Sequence, residues 1–164
     1  MGLTTKERKA VLRNQASNLL WYGKIKVTEG HVQSLRPYVE KIITLAVNTY
    51  TDTVETTVVT KDAKGKEVTK KVIKDGPKKL AARRKIMSLT YDLQFVKENG
   101  ESKADFKARV KGINHPLIEK IFNEIAPKYA ERAKELGQGG GYTRRYLLGE
   151  RRGDAAEVAV IELV

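Results

Sequence analysis

The chain has 164 residues and no cysteine, and its 32 Lys and Arg against 20 Asp and Glu give a formal net charge of +12. The absence of cysteine excludes disulfides, thiolate catalysis and cysteine-bound zinc. A chain this basic is expected to meet a polyanion, nucleic acid ahead of an anionic membrane surface, or else to carry a merely soluble basic surface.

The organisation of the chain is expected to be simple. Its start lacks the apolar core of a signal peptide, and no apolar stretch approaches the roughly 20 residues that span a bilayer. We therefore expect a soluble intracellular protein. A chain of this length suits one compact domain over residues 1–164.

Residues 4–22 are predicted to form a helix. Thr4 and Glu7 have the spacing of a capping box, and Gly23 stands where a C-terminal cap belongs. The apolar residues expected in the core are Leu12, Ala16, Leu19 and Leu20. Cations in the first turns oppose the helix dipole, which indicates either an anion outside the helix or a plain solvated face. They are Lys6, Arg8, Lys9 and Arg13.

Residues 24–28 alternate polar and apolar side chains, which predicts a strand with its two lysines facing outward. Thr28 is expected to cap the next helix, which runs to about Asn48 and is kinked or divided at Pro37. The core stripe predicted for this helix is Val32, Leu35, Val39, Ile42, Ile43 and Ala46.

The composition changes at residues 51–76, where Thr, Val and Lys dominate. Arms at 53–60 and 66–74, joined by a turn at 62–65, are predicted to form a projecting hairpin with arms about 25 Å long. Its lysines either follow a phosphate backbone or guard an exposed strand edge against aggregation, and the pattern favours neither reading.

Pro77 suits the first turn of a helix over 77–91. Leu80, Met87 and Tyr91 are expected on its core side. The basic run of this helix is too dense for a solubilising face alone, because few acids interleave it. The run comprises Lys78, Lys79, Arg83, Arg84 and Lys85.

After a loop at 92–101, Ser102 and Asp105 are expected to cap a short helix. A stronger helix begins at Pro116 and is broken or kinked at Pro127 before the chain reaches Gly137. Its predicted core stripe is Leu117, Ile118, Ile121, Phe122 and Ile125.

Two strands, at about 142–148 and 157–164, are predicted to close the chain. The last is apolar on both faces, which is typical of a central strand covered by helices. We expect this rigid strand to hold the turn before it, and that turn is flanked by Arg144, Arg145, Arg151 and Arg152.

The arginine pairs favour nucleic-acid binding. A guanidinium is a planar fork of donors that fits phosphate oxygens and stacks on bases, and Tyr142 and Tyr146 would add aromatic faces. Alternation in a strand places Arg144 and Arg145 on opposite faces, so both face outward only at a bulge or an edge strand.

Signals for catalysis are weak. His31 and His115 lie at predicted helix starts, where a lone histidine is more often a capping or surface residue. The glycine run at 137–143 lacks the lysine and hydroxyl of a P-loop and follows a helix instead of a strand. We predict no catalytic residue, no cofactor and no metal site. The remaining enzymatic alternative, an RNA-modifying enzyme, would need a cofactor-binding loop after a strand, and the sequence offers none.

The segments at 6–49, 77–92 and 116–164 resemble the bacterial ribosomal protein L17 family, most specifically in the motifs GGYTR and RRGDAA. The resemblance implies a two-layer α/β fold, with helices packed on a small mixed sheet of about three strands. Insertions are expected at about 51–76, as the hairpin, and at 93–115.

The resemblance also implies a structural, non-enzymatic protein, cytoplasmic and ribosome-bound. It would bind 23S rRNA near the nascent-chain exit tunnel and contact neighbouring large-subunit proteins. Family members usually begin with a further basic run, which Met1-Gly2-Leu3 replaces here, so the contacts of that run are not expected. The expected mechanism is charge neutralisation of packed RNA.

The resemblance and the basic runs together name the residues expected to contact RNA. They are Lys6, Arg8, Lys9, Arg13, Asn14, Lys78, Lys79, Arg83, Arg84, Tyr142, Thr143, Arg144, Arg145, Arg151 and Arg152. The alternative is a free-standing nucleic-acid-binding regulator, which would need a recognition helix that no segment clearly provides.

Overall fold

The computed structural model describes residues 2–61 and 67–164. The helices are α1 (Thr5–Tyr22), α2 (Glu29–Val47), α3 (Pro77–Leu89), α4 (Lys103–Val110), α5 (Pro116–Lys120) and α6 (Ala126–Leu136). A π-helical turn, Ile121–Ile125, joins the last two helices. The strands are β1 (Lys24–Thr28), β2 (Thr53–Lys61), β3 (Glu67–Asp75), β4 (Thr143–Glu150) and β5 (Glu157–Leu163). The turn predicted at 62–65 lies outside the described residues.

Helix α1 begins and ends as predicted. Thr4 Oγ1 accepts from the Glu7 N–H, and the Glu7 carboxylate accepts from the Thr4 N–H at 3.0 Å, which completes the capping box. At the other end Gly23 has φ of +80° and donates its N–H to the Leu19 carbonyl at 2.9 Å. Glycine suits this position because a Cβ disfavours positive φ. The chain therefore turns directly into β1.

Helix α2 is a single helix, so the alternative of two helices divided at Pro37 is wrong. The missing N–H removes one bond from the backbone ladder, but the predicted apolar stripe is buried on both sides of the proline and holds the two halves on one core. Thr28 precedes the helix without a side-chain capping hydrogen bond, so the predicted cap does not form.

Strand β5 is central, as predicted, in a three-stranded sheet with the order β1-β5-β4. Both of its neighbours are antiparallel to it, so the sheet is antiparallel and not mixed. A short turn joins β4 to β5, and such turns connect only antiparallel strands. Helices α1 and α2 pack on one face, where Ile25, Ala159 and Ile161 join the core. The other face carries exposed side chains, so the expectation of a strand covered by helices holds for one face only. The fold is the expected two-layer α/β arrangement.

The helix at the predicted break near Pro127 continues. Ahead of the proline the ladder widens by one residue, and the Ala126 N–H donates to the Ile121 carbonyl. A wider turn accommodates a ring that clashes with the regular helical carbonyl and brings no N–H. The predicted core stripe ahead of the proline, from Leu117 to Ile125, is buried.

The core side of α3 differs from the prediction. Ala82 and Ile86, one turn apart, are the buried residues of this helix. Leu80, Met87 and Tyr91 are 38%, 38% and 43% exposed. The small Ala82 side chain lets the helix approach the core on that side, and the helix ends before Tyr91.

Strands β2 and β3 form the predicted hairpin as a separate two-stranded sheet. At its base the Gly76 N–H donates to the Asp52 carbonyl at 2.9 Å. The Asp52 carboxylate accepts from the Lys78 and Lys79 N–H groups at 2.8 and 3.2 Å. Asp52 thus caps α3 from outside the helix and joins it to the hairpin. Within the described residues, no helix has the length and apolar character needed to cross a bilayer.

Candidate nucleic-acid interface

The strand pairing shows which side chains share the sheet face opposite the helices. Residues directly paired across a sheet lie on the same face. Two such rows cross this face: Lys24–Glu162–Arg144 and Lys26–Val160–Tyr146. We call these six residues the open sheet face. Its two lysines, Arg144 and Tyr146 are exposed, and the partly buried Val160 and Glu162 lie between them, so three cations flank one carboxylate.

Arg144 and Arg145 lie on opposite faces of the sheet, as strand alternation predicts. Arg145 lies on the helix side and forms an ion pair with Glu29, in the first turn of α2. Arg144 lies on the open sheet face, where its hydrogen bond to Tyr146 raises the pKa of Arg144. Arg145 therefore contributes its charge to the fold, whereas Arg144 presents its guanidinium to solvent.

The turn between β4 and β5 adjoins the open sheet face, because Arg151 lines one shallow recess with Lys26 and Val158. Two hydrogen bonds join the Arg151 guanidinium to the Asp154 carboxylate. Hydrogen bonding to Arg151 lowers the pKa of Asp154 to about 2. Arg152 is exposed beside them. The turn therefore extends the basic surface that begins on the sheet.

Two residues predicted to contact RNA lie in the interior. The Tyr142 ring is 5% exposed and packs against Tyr129 with ring centroids 4.8 Å apart. The Thr143 side chain is buried and donates to Glu40 Oε1 at 2.6 Å. The aromatic face expected at Tyr142 is therefore directed into the core, and Tyr146 is the exposed aromatic residue of the strand.

Two basic residues of α3 are partly buried in ion pairs with carboxylates of the protein itself. Arg83 lies 2.8 Å from an Asp75 carboxylate oxygen, also bonds to Glu119, and lies over the Phe122 ring at 5.5 Å. Lys79 pairs with Asp75 at 3.0 Å. These ion pairs connect β3, α3 and α5, so in this fold the two cations neutralise partly buried carboxylates of the same chain.

A second basic surface forms where α1 meets the end of α3. Arg13 donates to the Ser88 carbonyl and lies 5.8 Å from the Tyr91 ring centroid. Lys9 and Arg13 line a recess of about 300 Å³ together with Tyr38, Ser88 and Leu89. The contact places two predicted basic segments side by side. The other predicted residues that these helices expose are Lys6, Arg8, Asn14, Lys78 and Arg84.

Lys24 and Lys26 were not among the predicted RNA contacts, although both lie on the open sheet face. The polar and apolar alternation of residues 24–28 had already predicted that both lysines face outward. Their nearness to Arg144 was not visible, because it depends on β1 and β4 flanking the same central strand. In the described part of the chain, no group of three or more His, Asp or Glu is placed to hold a metal ion.

These features define a small basic α/β protein whose exposed sheet face and turn suit a polyanion. The chain belongs to the ribosomal protein L17 family, whose model matches residues 11–164. A relative from Lachnospira eligens is 38% identical, covering all of this chain and 97% of its own length. Relatives from Acetivibrio thermocellus and Clostridium botulinum are 34% and 35% identical, covering all of this chain and 97% and 95% of theirs. All three are named large ribosomal subunit protein bL17. Family membership confirms the predicted resemblance and the prediction of a non-enzymatic protein.

Proposed function

We propose that the chain binds 23S rRNA by charge neutralisation, near the nascent-chain exit tunnel and beside neighbouring large-subunit proteins. Membership of the family makes it a structural constituent of the large ribosomal subunit. Its place of action is accordingly the cytoplasmic ribosome. The net charge of +12 supports an RNA partner, because cations that neutralise phosphates release condensed counterions.

The observation that carries the proposal is the open sheet face. Lys24 and Lys26 lie on it in β1 and Arg144 in β4, the two strands that flank the central strand β5. The central strand is rigid because Ala159 and Ile161 on its other side are fully buried. Because β1 and β4 are hydrogen-bonded to this strand, their backbones hold the three cations in fixed register, and little backbone freedom remains to be lost when they meet phosphates. Phosphate contacts of this kind position a protein on RNA without reading sequence.

The test is the salt dependence of binding to 23S rRNA between 50 and 200 mM salt. The sheet-face variant is Lys24→Gln/Lys26→Gln/Arg144→Gln. The control variant, Lys41→Gln/Lys128→Gln/Lys134→Gln, removes equal charge from exposed positions on α2 and α6. Each lost phosphate contact lowers the slope of log K against log salt by about 0.7–0.9, so the sheet-face variant should lose about 2–3.

Two outcomes would overturn parts of this proposal. Wild-type affinity that does not change with salt would contradict charge neutralisation. Equal slopes of log K against log salt for the sheet-face and control variants would show that the open sheet face does not contact RNA. Sedimentation of the protein with large subunits in a gradient separates a structural constituent from a free-standing regulator, which would remain at the top.

A further inference from the structure

Helix α4 is the part of the described chain whose surface the proposed function does not yet use. None of its residues is buried. One side is nevertheless firmly attached, because Arg109 donates to both Glu101 carboxylate oxygens at 2.9 Å. Its guanidinium also lies 5.6 Å from the Phe95 ring centroid and 5.5 Å from that of Phe106. The helix therefore has a defined orientation against the loop that precedes it.

The side of α4 away from this attachment carries a row of lysines. Lys103, Lys107 and the C-cap Lys111 are exposed and follow one another at intervals of four residues. Each interval rises about 6 Å along the helix axis, which is close to the separation of consecutive phosphates in one RNA strand. Ala104 and Ala108 lie between them, and their small side chains leave room for another backbone to approach.

The acids nearest to this row are engaged elsewhere. Asp105 accepts a 2.6 Å hydrogen bond from the Ser102 hydroxyl at the helix start. Glu101 pairs with Arg109, and this bond lowers the pKa of Glu101. The ion pairs found among the described residues include none of the three lysines. Like charges four residues apart destabilise a helix, and an anionic partner would relieve that repulsion.

We propose that this row, the α4 lysine ridge of Lys103, Lys107 and Lys111, binds the phosphates of one rRNA strand. The inference rests on the proposed function and adds a further contact surface to it, within a segment whose contacts the family resemblance does not supply. The alternative occupant is an acidic helix of a neighbouring protein. RNA is favoured because three evenly spaced point charges match a uniformly charged backbone, and lysine binds phosphate as a point charge.

The first experiment compares full-length Lys103→Gln/Lys107→Gln/Lys111→Gln with the control variant in binding to 23S rRNA. Glutamine keeps helix propensity close to that of lysine, and circular dichroism verifies equal helicity. The ridge variant should lower the salt slope by about 2–3 relative to wild type, and by more than the control. If the ridge variant had the same slope as the control variant, the proposal that the α4 lysine ridge binds RNA would be wrong. If wild type itself showed no salt dependence, the proposed function would fall and the ridge with it.

The second experiment keeps all three lysines. A photoreactive amino acid at position 108, between Lys107 and Lys111, is carried by the full-length protein into assembled large subunits. A crosslink to 23S rRNA supports the ridge. Crosslinks to a ribosomal protein alone would assign the surface to a protein partner and contradict the proposal, while the salt-dependent binding of the whole chain would stand.

Discussion

The guanidinium of Arg151 donates two hydrogen bonds, at 3.0 and 2.6 Å, to the carboxylate of Asp154 across the turn that joins β4 to β5. The backbone reinforces this pairing, since the Arg151 N–H donates to Ala156 and the Ala155 N–H donates back to Arg151. The turn is therefore ordered before any partner arrives. A phosphate that binds Arg151 must share the guanidinium with Asp154 or displace it.

The first prediction concerns pH. Arg151 depresses the pKa of Asp154 from 3.8 to about 2, so the pair stabilises the fold fully above pH 3.8 and loses that contribution as pH falls toward 2. Carboxyl NMR should show the low midpoint in wild type. Arg151→Gln should return it toward 3.8, while Arg152→Gln should leave it in place. An unchanged midpoint in Arg151→Gln would show that Arg151 does not lower the pKa of Asp154.

The second prediction separates two arginines by their surroundings. Arg83→Gln should lower the free energy of unfolding by about 2 kcal/mol, because Asp75 and Glu119 lose a charged partner in a mostly buried site. Arg144→Gln should leave stability within about 0.5 kcal/mol and weaken RNA binding, because Arg144 is exposed. Urea unfolding measures the stability of both variants, and a binding assay measures their affinity for RNA. The reverse pattern would contradict the placement of the two side chains.

The third prediction tests the interior position of Tyr142. Truncation to alanine should destabilise the protein by about 3 kcal/mol, because the ring packs against Tyr129 in the core. Tyr129→Phe should lose about 1 kcal/mol, because its hydroxyl donates to the Tyr142 carbonyl at 3.2 Å. Tyr142→Phe keeps the ring and should bind RNA as wild type does. A loss of affinity in folded Tyr142→Phe would restore this residue as an RNA contact.

The fourth prediction concerns the base of the hairpin. Asp52→Ala should cost about 1 kcal/mol, because two N–H groups of the first turn of α3 lose their acceptor. Gly76→Ala should also destabilise, since the added Cβ would lie 2.5 Å from the Asp52 carboxylate and displace it. In the double variant the two losses should not add, because both act through the same cap. Additive losses in urea unfolding would show that Gly76 matters for another reason.

Local chemistry along the chain was enough to predict most of the framework. The capping box of Thr4 and Glu7, the glycine end of α1 and the core stripes of α2 and α5 all depend on residues within a few positions of each other. The central place of β5 was likewise readable, because a strand that is apolar on both faces is costly to leave at an edge.

Tertiary structure alone decided which cations remain available to a partner. Arg83 pairs with Glu119, which lies 36 residues away in the sequence, and Arg145 pairs with Glu29, which lies 116 residues away. The Tyr142 ring is buried because α6 brings Tyr129 against it. Helical and strand periodicity predict on which side of an element a residue lies. They do not predict which distant carboxylate or ring occupies that side, because that depends on how the helices and strands pack together.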